Sequence, residues 1–373
     1  MRIRSRPRFT EFRAHGRRTP DPFRAGNQRN MSGTTGLGGL TIAVLAILLA
    51  GANSARAAPQ VQTFPLRDTN NLTVVNVKAE AVEYQGRKCV LVTNDTQKDG
   101  FALLQGTENF QDGAIEADVA LRISVPPPAF RMPGFVGIGF RARPDASKYE
   151  LFYWRPGNSV SDDQSMRNHS VQYISVPDFD WYALRYGWPW IYEAYAPLKL
   201  ETWTKVRIEV SGRTAKLYLN GSQSPNLVVS PLLGADLQGG VALWGYQNES
   251  AYFSNVRITN STPLPVKNGS DVSGTWQVKF SSDIGAFNGS LQLQRDGDKI
   301  TGTWSGDLGQ ARPIAGTWRD GYVELSFDAQ WKLPHLQGHG PATLAGWIDG
   351  GSADGRMRVA ALTEGKWAAT RKQ

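Results

Sequence analysis

Short strand-like runs alternate with tight turns along most of the sequence, and this rhythm limits the folds that the chain can adopt. In residues 114–123, apolar side chains alternate with polar ones, the period-two pattern of a strand with one buried and one solvated face. An Asn220-Gly221 pair, a strong hairpin signal, separates two further runs. About a dozen short strands at regular spacing and few helical windows predict an all-β sandwich of antiparallel sheets over residues 58–260.

The sequence changes character after a stretch rich in proline, asparagine and serine at residues 261–272, which is typical of a linker. Beyond it, Gly-x-Trp recurs at strand ends, with the indoles of Trp276, Trp304, Trp318 and Trp367. About eight short strands in residues 273–373 predict a small antiparallel meander barrel. Tryptophan dominates core packing where it can be enclosed, so these rings are expected to plug the barrel rather than line a pocket.

The net charge of +8 is confined to the N-terminal segment, where ten arginines face only Glu11 and Asp21 in residues 1–57. The rest of the chain carries 31 basic and 31 acidic residues, so no nucleic-acid partner is expected. The basic start, an apolar run at residues 40–50 and the Ala-x-Ala pattern ending at Ala57 are typical of an export signal. We therefore expect a periplasmic or secreted protein with no stable membrane span after cleavage, with a retained anchor as the alternative.

A segment dense in amide, cationic and aromatic side chains, residues 153–195, is predicted to be a long functional loop. Sugar hydroxyls pair with planar polar groups, and sugar C–H faces stack on aromatic rings, so this composition indicates a carbohydrate or glycoside ligand. In the alternative interpretation, the rings attach the loop to the sandwich. The candidate ligand-binding residues are Arg141, Tyr153, Arg155, Gln164, Arg167, Asn168, Gln172, Tyr173, Trp181, Trp188, Trp190 and Tyr192.

Residues 72–260 resemble the concanavalin A-like lectin and glucanase superfamily, more narrowly its laminin-G-like or 3-keto-disaccharide hydrolase type domains. The motifs that carry the resemblance are FQDGAIE at 110–116, GIGFRAR at 137–143, YELFYWRP at 149–156, WTKVRI at 203–208 and AYFSN at 251–255. The resemblance implies a two-sheet jelly roll with a sugar-binding face. The C-terminal part resembles small barrels of the lipocalin and avidin kind through its strand rhythm, and no ligand is inferred from that.

The resemblance also provides a test for catalysis, because glycoside hydrolase family 16 uses an E-x-D-x-E motif. Glu116 and Asp118 occupy the first two positions, but Ala120 replaces the third acid, which argues against a retaining mechanism by two carboxylates. The catalytic candidates are therefore His169, Glu193 and Asp163, with His169 as a general acid or base. Arg141 and Arg155 could form a clamp with Glu193, or an internal salt bridge.

No cofactor is predicted. Calcium is common in lectins of this superfamily, but no compact acidic loop indicates it, and no metal ligands are assigned. His335 and His339 lack a third ligand nearby, and Cys89 lies in an apolar strand pattern typical of a buried thiol.

The sequence thus favours an exported carbohydrate-recognising protein, with a glycoside hydrolase of the 3-keto-disaccharide type or a non-catalytic protein-interaction module as alternatives. For an enzyme we expect a carboxylate and His169 to converge in one cleft, and for a lectin we expect a shallow groove lined by rings. For a protein-binding module we expect the segment to form a convex apolar patch.

Overall fold

The computed structural model describes residues 60–96, 98–122, 134–247, 249–265 and 271–372, and the predicted export signal lies outside these ranges. Fifteen strands and three short helices precede the predicted linker. The strands are β1 (Gln60–Phe64), β2 (Leu72–Val75), β3 (Lys78–Tyr84), β4 (Arg87–Thr93), β5 (Phe101–Leu104), β6 (Gly113–Arg122), β7 (Val136–Ala142), β8 (Tyr149–Trp154), β9 (Val171–Val176), β10 (Glu193–Ala194), β11 (Thr204–Ser211), β12 (Thr214–Leu219), β13 (Leu227–Val229), β14 (Gly240–Gly245) and β15 (Ser250–Asn260). The helices are α1 (Pro156–Ser159), α2 (Gln164–Arg167) and α3 (Trp181–Gly187).

These strands form two antiparallel sheets. The larger has the order β13-β12-β11-β6-β15-β4-β3, with β1 paired to β15, and the smaller has the order β10-β9-β8-β7-β14-β5-β2. Apolar side chains from both sheets, such as Ile115 and Ile208 from one and Ile138 and Phe152 from the other, share one buried core. The predicted all-β sandwich is confirmed, and it is the architecture that the resemblance to the concanavalin A-like superfamily implies.

The predicted turn at Asn220-Gly221 follows β12, and both residues have positive φ angles, 54° and 74°. Glycine and asparagine tolerate this left-handed conformation better than other residues, which is why the pair is a reliable turn signal. The long loop predicted for residues 153–195 is wrong in detail. The segment contains α1, α2, α3 and the largely buried strand β9, whose β-branched residues Val171, Ile174 and Val176 favour a strand.

The C-terminal part is a closed barrel of eight antiparallel strands, as the strand rhythm predicts. Its strands are β16 (Gly274–Ser282), β17 (Gly285–Asp296), β18 (Lys299–Gly306), β19 (Gly309–Arg319), β20 (Tyr322–Leu333), β21 (Leu336–Asp349), β22 (Ser352–Val359) and β23 (Thr363–Arg371). The indoles of the four Gly-x-Trp repeats are all buried in the barrel core. The repeat glycines have a steric role of their own, because a Cβ atom on Gly302 would lie 2.0 Å from the carbonyl oxygen of Gln292 on the next strand.

The barrel packs against the sandwich, and both belong to one compact unit. Trp347 of β21 joins the buried core of the sandwich, and its indole N–H donates to the carbonyl oxygen of Leu232 at 2.8 Å. The guanidinium of Arg213 lies 3.4 Å from the centroid of the same indole. Phe179 and Tyr322 meet edge to face beside it, with ring centroids 5.3 Å apart. The division of the chain into two separate domains, the sandwich and the barrel, stays a prediction.

Candidate functional site

An aromatic floor covers the outer face of the smaller sheet. Strand β8 reads YELFYW and is buried on both faces, so its side chains divide by strand periodicity. Phe152 and Trp154 point into the sandwich core, whereas Tyr149 and Tyr153 join an apolar cluster on the opposite face, together with Trp244 of β14. This second apolar face explains why the strand lacks a solvated side.

A cleft of about 610 Å³ lies over this floor. Its sides come mainly from the turns and helices between β8 and β10, which supply most of the polar side chains. The cleft is lined by Asp99, Phe135, Tyr149, Tyr153, Arg155, Asn158, Met166, His169, Ile174, Val176, Pro177, Asp180, Trp181, Arg185, Trp244 and Tyr246. An aromatic base with a rim of hydrogen-bonding groups is the usual composition of a small-molecule site.

Two aspartates hold the short helices that build the sides of the cleft. Asp180 accepts a hydrogen bond from the backbone N–H of Ala183 at 2.7 Å and caps α3, which carries Trp181 and Arg185. Asp163 caps α2 through the backbone N–H of Ser165 at 2.8 Å. Asp163 does not line the cleft, so the structure gives this candidate acid a capping contact outside the site.

Arg155 lies at the edge of the aromatic floor with only 4% of its surface exposed. Its guanidinium donates to the Tyr153 hydroxyl, to Oε1 of Gln172 and to the carbonyl oxygen of His169. It also lies 4.6 Å from the ring centroid of Tyr153. These contacts fix the orientation of the guanidinium, and burial lowers the pKa of Arg155.

His169 lines the cleft, and its side chain is paired with the carboxylate of Glu193, which lies outside the cleft. Its Nδ1 lies 2.8 Å from Oε2 of Glu193, which also pairs with Arg185 at 2.9 Å. The imidazole stacks on Trp190, with ring planes 2° apart. Burial lowers the pKa of His169, although Glu193 opposes the shift. A neutral imidazole beside a carboxylate can accept a proton. His169 lines the cleft whereas Glu193 lies behind it, so the expectation that both converge in one cleft stays a prediction.

The predicted clamp of Arg141, Arg155 and Glu193 does not form. Arg141 is 1% exposed and pairs with Asp112 at 3.2 Å and with Glu150 at 3.9 Å, so the alternative of an internal salt bridge describes it. Its φ of 49° marks an irregular end of β7, where its side chain also bonds the carbonyl oxygen of Gly212. Arg141 therefore does not line the cleft.

The structure places other predicted ligand contacts away from the cleft. Trp188, Tyr192 and Tyr173 are buried in the sandwich core and do not line the cleft. Gln164 donates a hydrogen bond to Asn168 and accepts one from Arg167 at the surface of α2. All three side chains lie outside the cleft. Gln172 is fully buried behind Arg155 and Tyr153. Trp190 is 58% exposed, but its contact is with His169 rather than the cleft.

Four of the predicted residues do line the cleft, namely Tyr153, Arg155, His169 and Trp181, and their role in binding stays a prediction. Sequence reasoning missed Phe135, Tyr149, Asn158, Arg185, Trp244 and Tyr246. Tyr149 could be predicted from the sequence, because strand periodicity places it on the same face of β8 as Tyr153. Trp244 and Tyr246 share the same spacing of two, but nothing in β14 alone indicates which sheet face they occupy.

The acids of the incomplete family 16 motif lie on the other sheet. Glu116 is 3.5 Å from Arg207, and Asp118 is 2.7 Å from Arg87, all on the outer face of the larger sheet. They form partly exposed ion pairs on the polar face of β6. Within the described residues, no group of three or more histidine, cysteine or acidic side chains is placed to hold a metal ion. The helices described here are all too short or too polar to cross a membrane.

The similarities of this chain to known proteins are structural and distant. No family model matches the sequence, and a search of curated proteins finds no match. Among solved structures, the carbohydrate-binding module CBM66 from Bacillus subtilis aligns with 50% of this chain and 95% of its own, at 17% identity and a TM-score of 0.36. A GlcNAcα1-4Gal-releasing endo-β-galactosidase from Clostridium perfringens aligns with 85% of this chain and 98% of its own, at 10% identity and a TM-score of 0.28. Domains LG4-5 of the mouse laminin α1 chain align over 80% of each chain, at 12% identity and a TM-score of 0.23. Conclusions about ligands therefore depend on the side chains of this chain itself.

Proposed function

We propose that the cleft over the smaller sheet binds a carbohydrate. The observation that carries this proposal is the combination of exposed rings in the cleft, Trp181 and Tyr246 above the more deeply buried aromatic floor, with the polar groups of Arg155 and His169 at its side. Aromatic faces take the C–H surface of a sugar ring, while fixed donors pair with its oxygens. A purely apolar ligand would displace water from the polar side chains that line the cleft without replacing its hydrogen bonds, which costs binding free energy.

Trp181 is the test residue, since it lines the cleft and is 45% exposed. We expect Trp181→Ala to weaken glycan binding about fivefold, because a lost aromatic stacking partner costs about 1 kcal/mol. Binding would be measured by calorimetry on the full chain with a ligand found on a glycan array. Tyr195→Ala is the matched control, because Tyr195 is 48% exposed and lies outside the cleft.

Equal weakening by both substitutions would contradict a binding role for the cleft, and so would a glycan array without any binding. The expectation of export belongs to the same proposal and rests on the N-terminal sequence alone. Fractionation of cells that express the full chain would test it, with cleavage near Ala57 as the expected result.

A second candidate function, cleavage of a glycosidic bond, is favoured by one observation. His169 reaches the cleft while Glu193 holds its Nδ1 side, the arrangement of an oriented general base. A bound oligosaccharide that stays intact during prolonged incubation, measured as the absence of new reducing ends, would eliminate this candidate and leave the binding function.

A further inference from the structure

Arg155 carries a buried positive charge without a carboxylate partner. Its three hydrogen-bond acceptors, the Tyr153 hydroxyl, the Gln172 amide oxygen and the His169 carbonyl oxygen, are all neutral. Among the described residues, Arg155 forms no ion pair, whereas the other buried arginine, Arg141, has two. A buried guanidinium without a counter-ion is costly, and proteins normally pair such a charge.

None of the acidic side chains that line or lie behind the cleft pairs directly with Arg155 within the described residues. Glu193 attracts Arg155 but pairs directly with Arg185 and His169. Asp180 is used by the N-terminus of α3. Asp99 also lines the cleft, and burial raises its pKa, which disfavours its charged form. The neutral acceptors thus fix the orientation of the Arg155 guanidinium, but no carboxylate in the described residues pairs with its charge.

We propose that the cleft selects a sugar that carries an anionic group, such as the carboxylate of a uronic acid, and that Arg155 is its binding residue. This inference rests on the proposed carbohydrate function and deepens it. Arginine binds carboxylates through charge-assisted hydrogen bonds, which are stronger than those to neutral hydroxyls. The rings of Tyr153 and Phe135, 4.6 and 5.4 Å from the guanidinium carbon, limit its movement and lower the entropic cost of forming that contact.

The substitution Gln172→Glu tests the role of the uncompensated charge without removing Arg155. Gln172 is fully buried, and its Oε1 already accepts from Arg155 at 2.5 Å, so a glutamate of the same shape supplies an internal counter-ion. Once Arg155 is neutralised from within, its attraction for an anionic ligand falls. The thermal midpoint of the variant shows whether the fold is retained.

The experiment compares matched ligands on the full chain. Oligogalacturonate, oligomannuronate and oligoglucuronate are each paired with the same oligosaccharide after reduction of its carboxylates to primary alcohols. We expect at least one acidic member to bind about tenfold or more tightly than its neutral counterpart, a difference of about 1.4 kcal/mol. Gln172→Glu should abolish this preference by weakening only the acidic ligand. Arg143→Gln, which removes an exposed cation paired with Asp236 outside the cleft, should preserve it.

The outcomes separate the two proposals. If neutral members bind as tightly as acidic ones, the anionic selectivity is wrong while carbohydrate binding stands. If Gln172→Glu folds and keeps the preference, Arg155 is not its source and the inference fails. If no member of either set, and no glycan on the array, binds the folded protein, both proposals fail together.

Discussion

Replacing Trp347 with alanine is expected to destabilise the protein by about 3–5 kcal/mol, the usual cost of removing a buried tryptophan side chain. Trp347 is 4% exposed, and it joins the sandwich core although it belongs to the barrel. Its loss empties the space between the two parts and leaves the carbonyl oxygen of Leu232 without its indole donor. It also removes the ring that faces Arg213.

Denaturant unfolding, followed by far-ultraviolet circular dichroism and tryptophan fluorescence, would measure the effect. We expect one cooperative transition in the parent chain and two separated transitions in Trp347→Ala, because the sandwich and the barrel lose a large buried side chain that they share. Trp190→Ala is the control, since Trp190 is 58% exposed and its stacking on His169 predicts a cost of at most about 1.5 kcal/mol. An equal cost for both substitutions would mean that the interface contributes no special stability.

Replacing Glu249 with glutamine is expected to stabilise the protein above pH 7 by about 3 kcal/mol, with no gain at pH 4. Glu249 is 3% exposed, and its Oε2 has no hydrogen-bond partner within the described part of the chain. Burial raises the pKa of this carboxyl to about 7. The unfolded chain therefore releases its proton at lower pH than the folded chain.

The sign of the pH effect on stability follows from the higher pKa of Glu249 in the folded chain. At pH 4 the carboxyl is protonated in both states, so it contributes no charge penalty. Between the ordinary pKa of 4.5 and the folded pKa of about 7, the unfolded state is favoured progressively as pH rises. Glutamine does not titrate, so the difference in unfolding free energy between variant and parent should grow across this window and then level off. A difference that is flat with pH would contradict the assigned environment, and exposed Glu83→Gln controls for the loss of one negative charge.

The fold was largely accessible from sequence because its signals are local. Period-two alternation gave most of the strands of the sandwich, and the Gly-x-Trp repeats gave the eight-stranded barrel. The strand β9 lies inside a segment whose polar and aromatic composition predicts a loop, and only its β-branched residues favour a strand. Closure of the barrel and the order of strands in the two sheets depend on long-range pairing, which local pattern cannot specify.

The site was accessible only in part, because composition does not determine which side of a segment is covered. Trp188 and Trp181 are seven positions apart, yet one is buried and the other lines the cleft. Trp188 faces Arg358 of the barrel. Burial raises the pKa of Tyr192, and the charges of Arg356 and Glu324 of the same barrel act on that pKa in opposite directions. The surface that covers these rings comes from residues far along the chain. A local pattern does not show which distant residues cover a side chain. The sequence therefore predicts both Trp188 and Tyr192 as ligand contacts.

The barrel closes by pairing its first strand with its last, so that Trp276 lies opposite Arg371. This pairing joins segments separated by nearly the whole barrel sequence, and contacts of such high sequence separation form late because the intervening chain must first be brought into a loop. Until β23 pairs with β16, a sheet formed by the other strands would have two unpaired edges. Closure then removes both edges, and with them the sites at which a neighbouring polypeptide could add a strand.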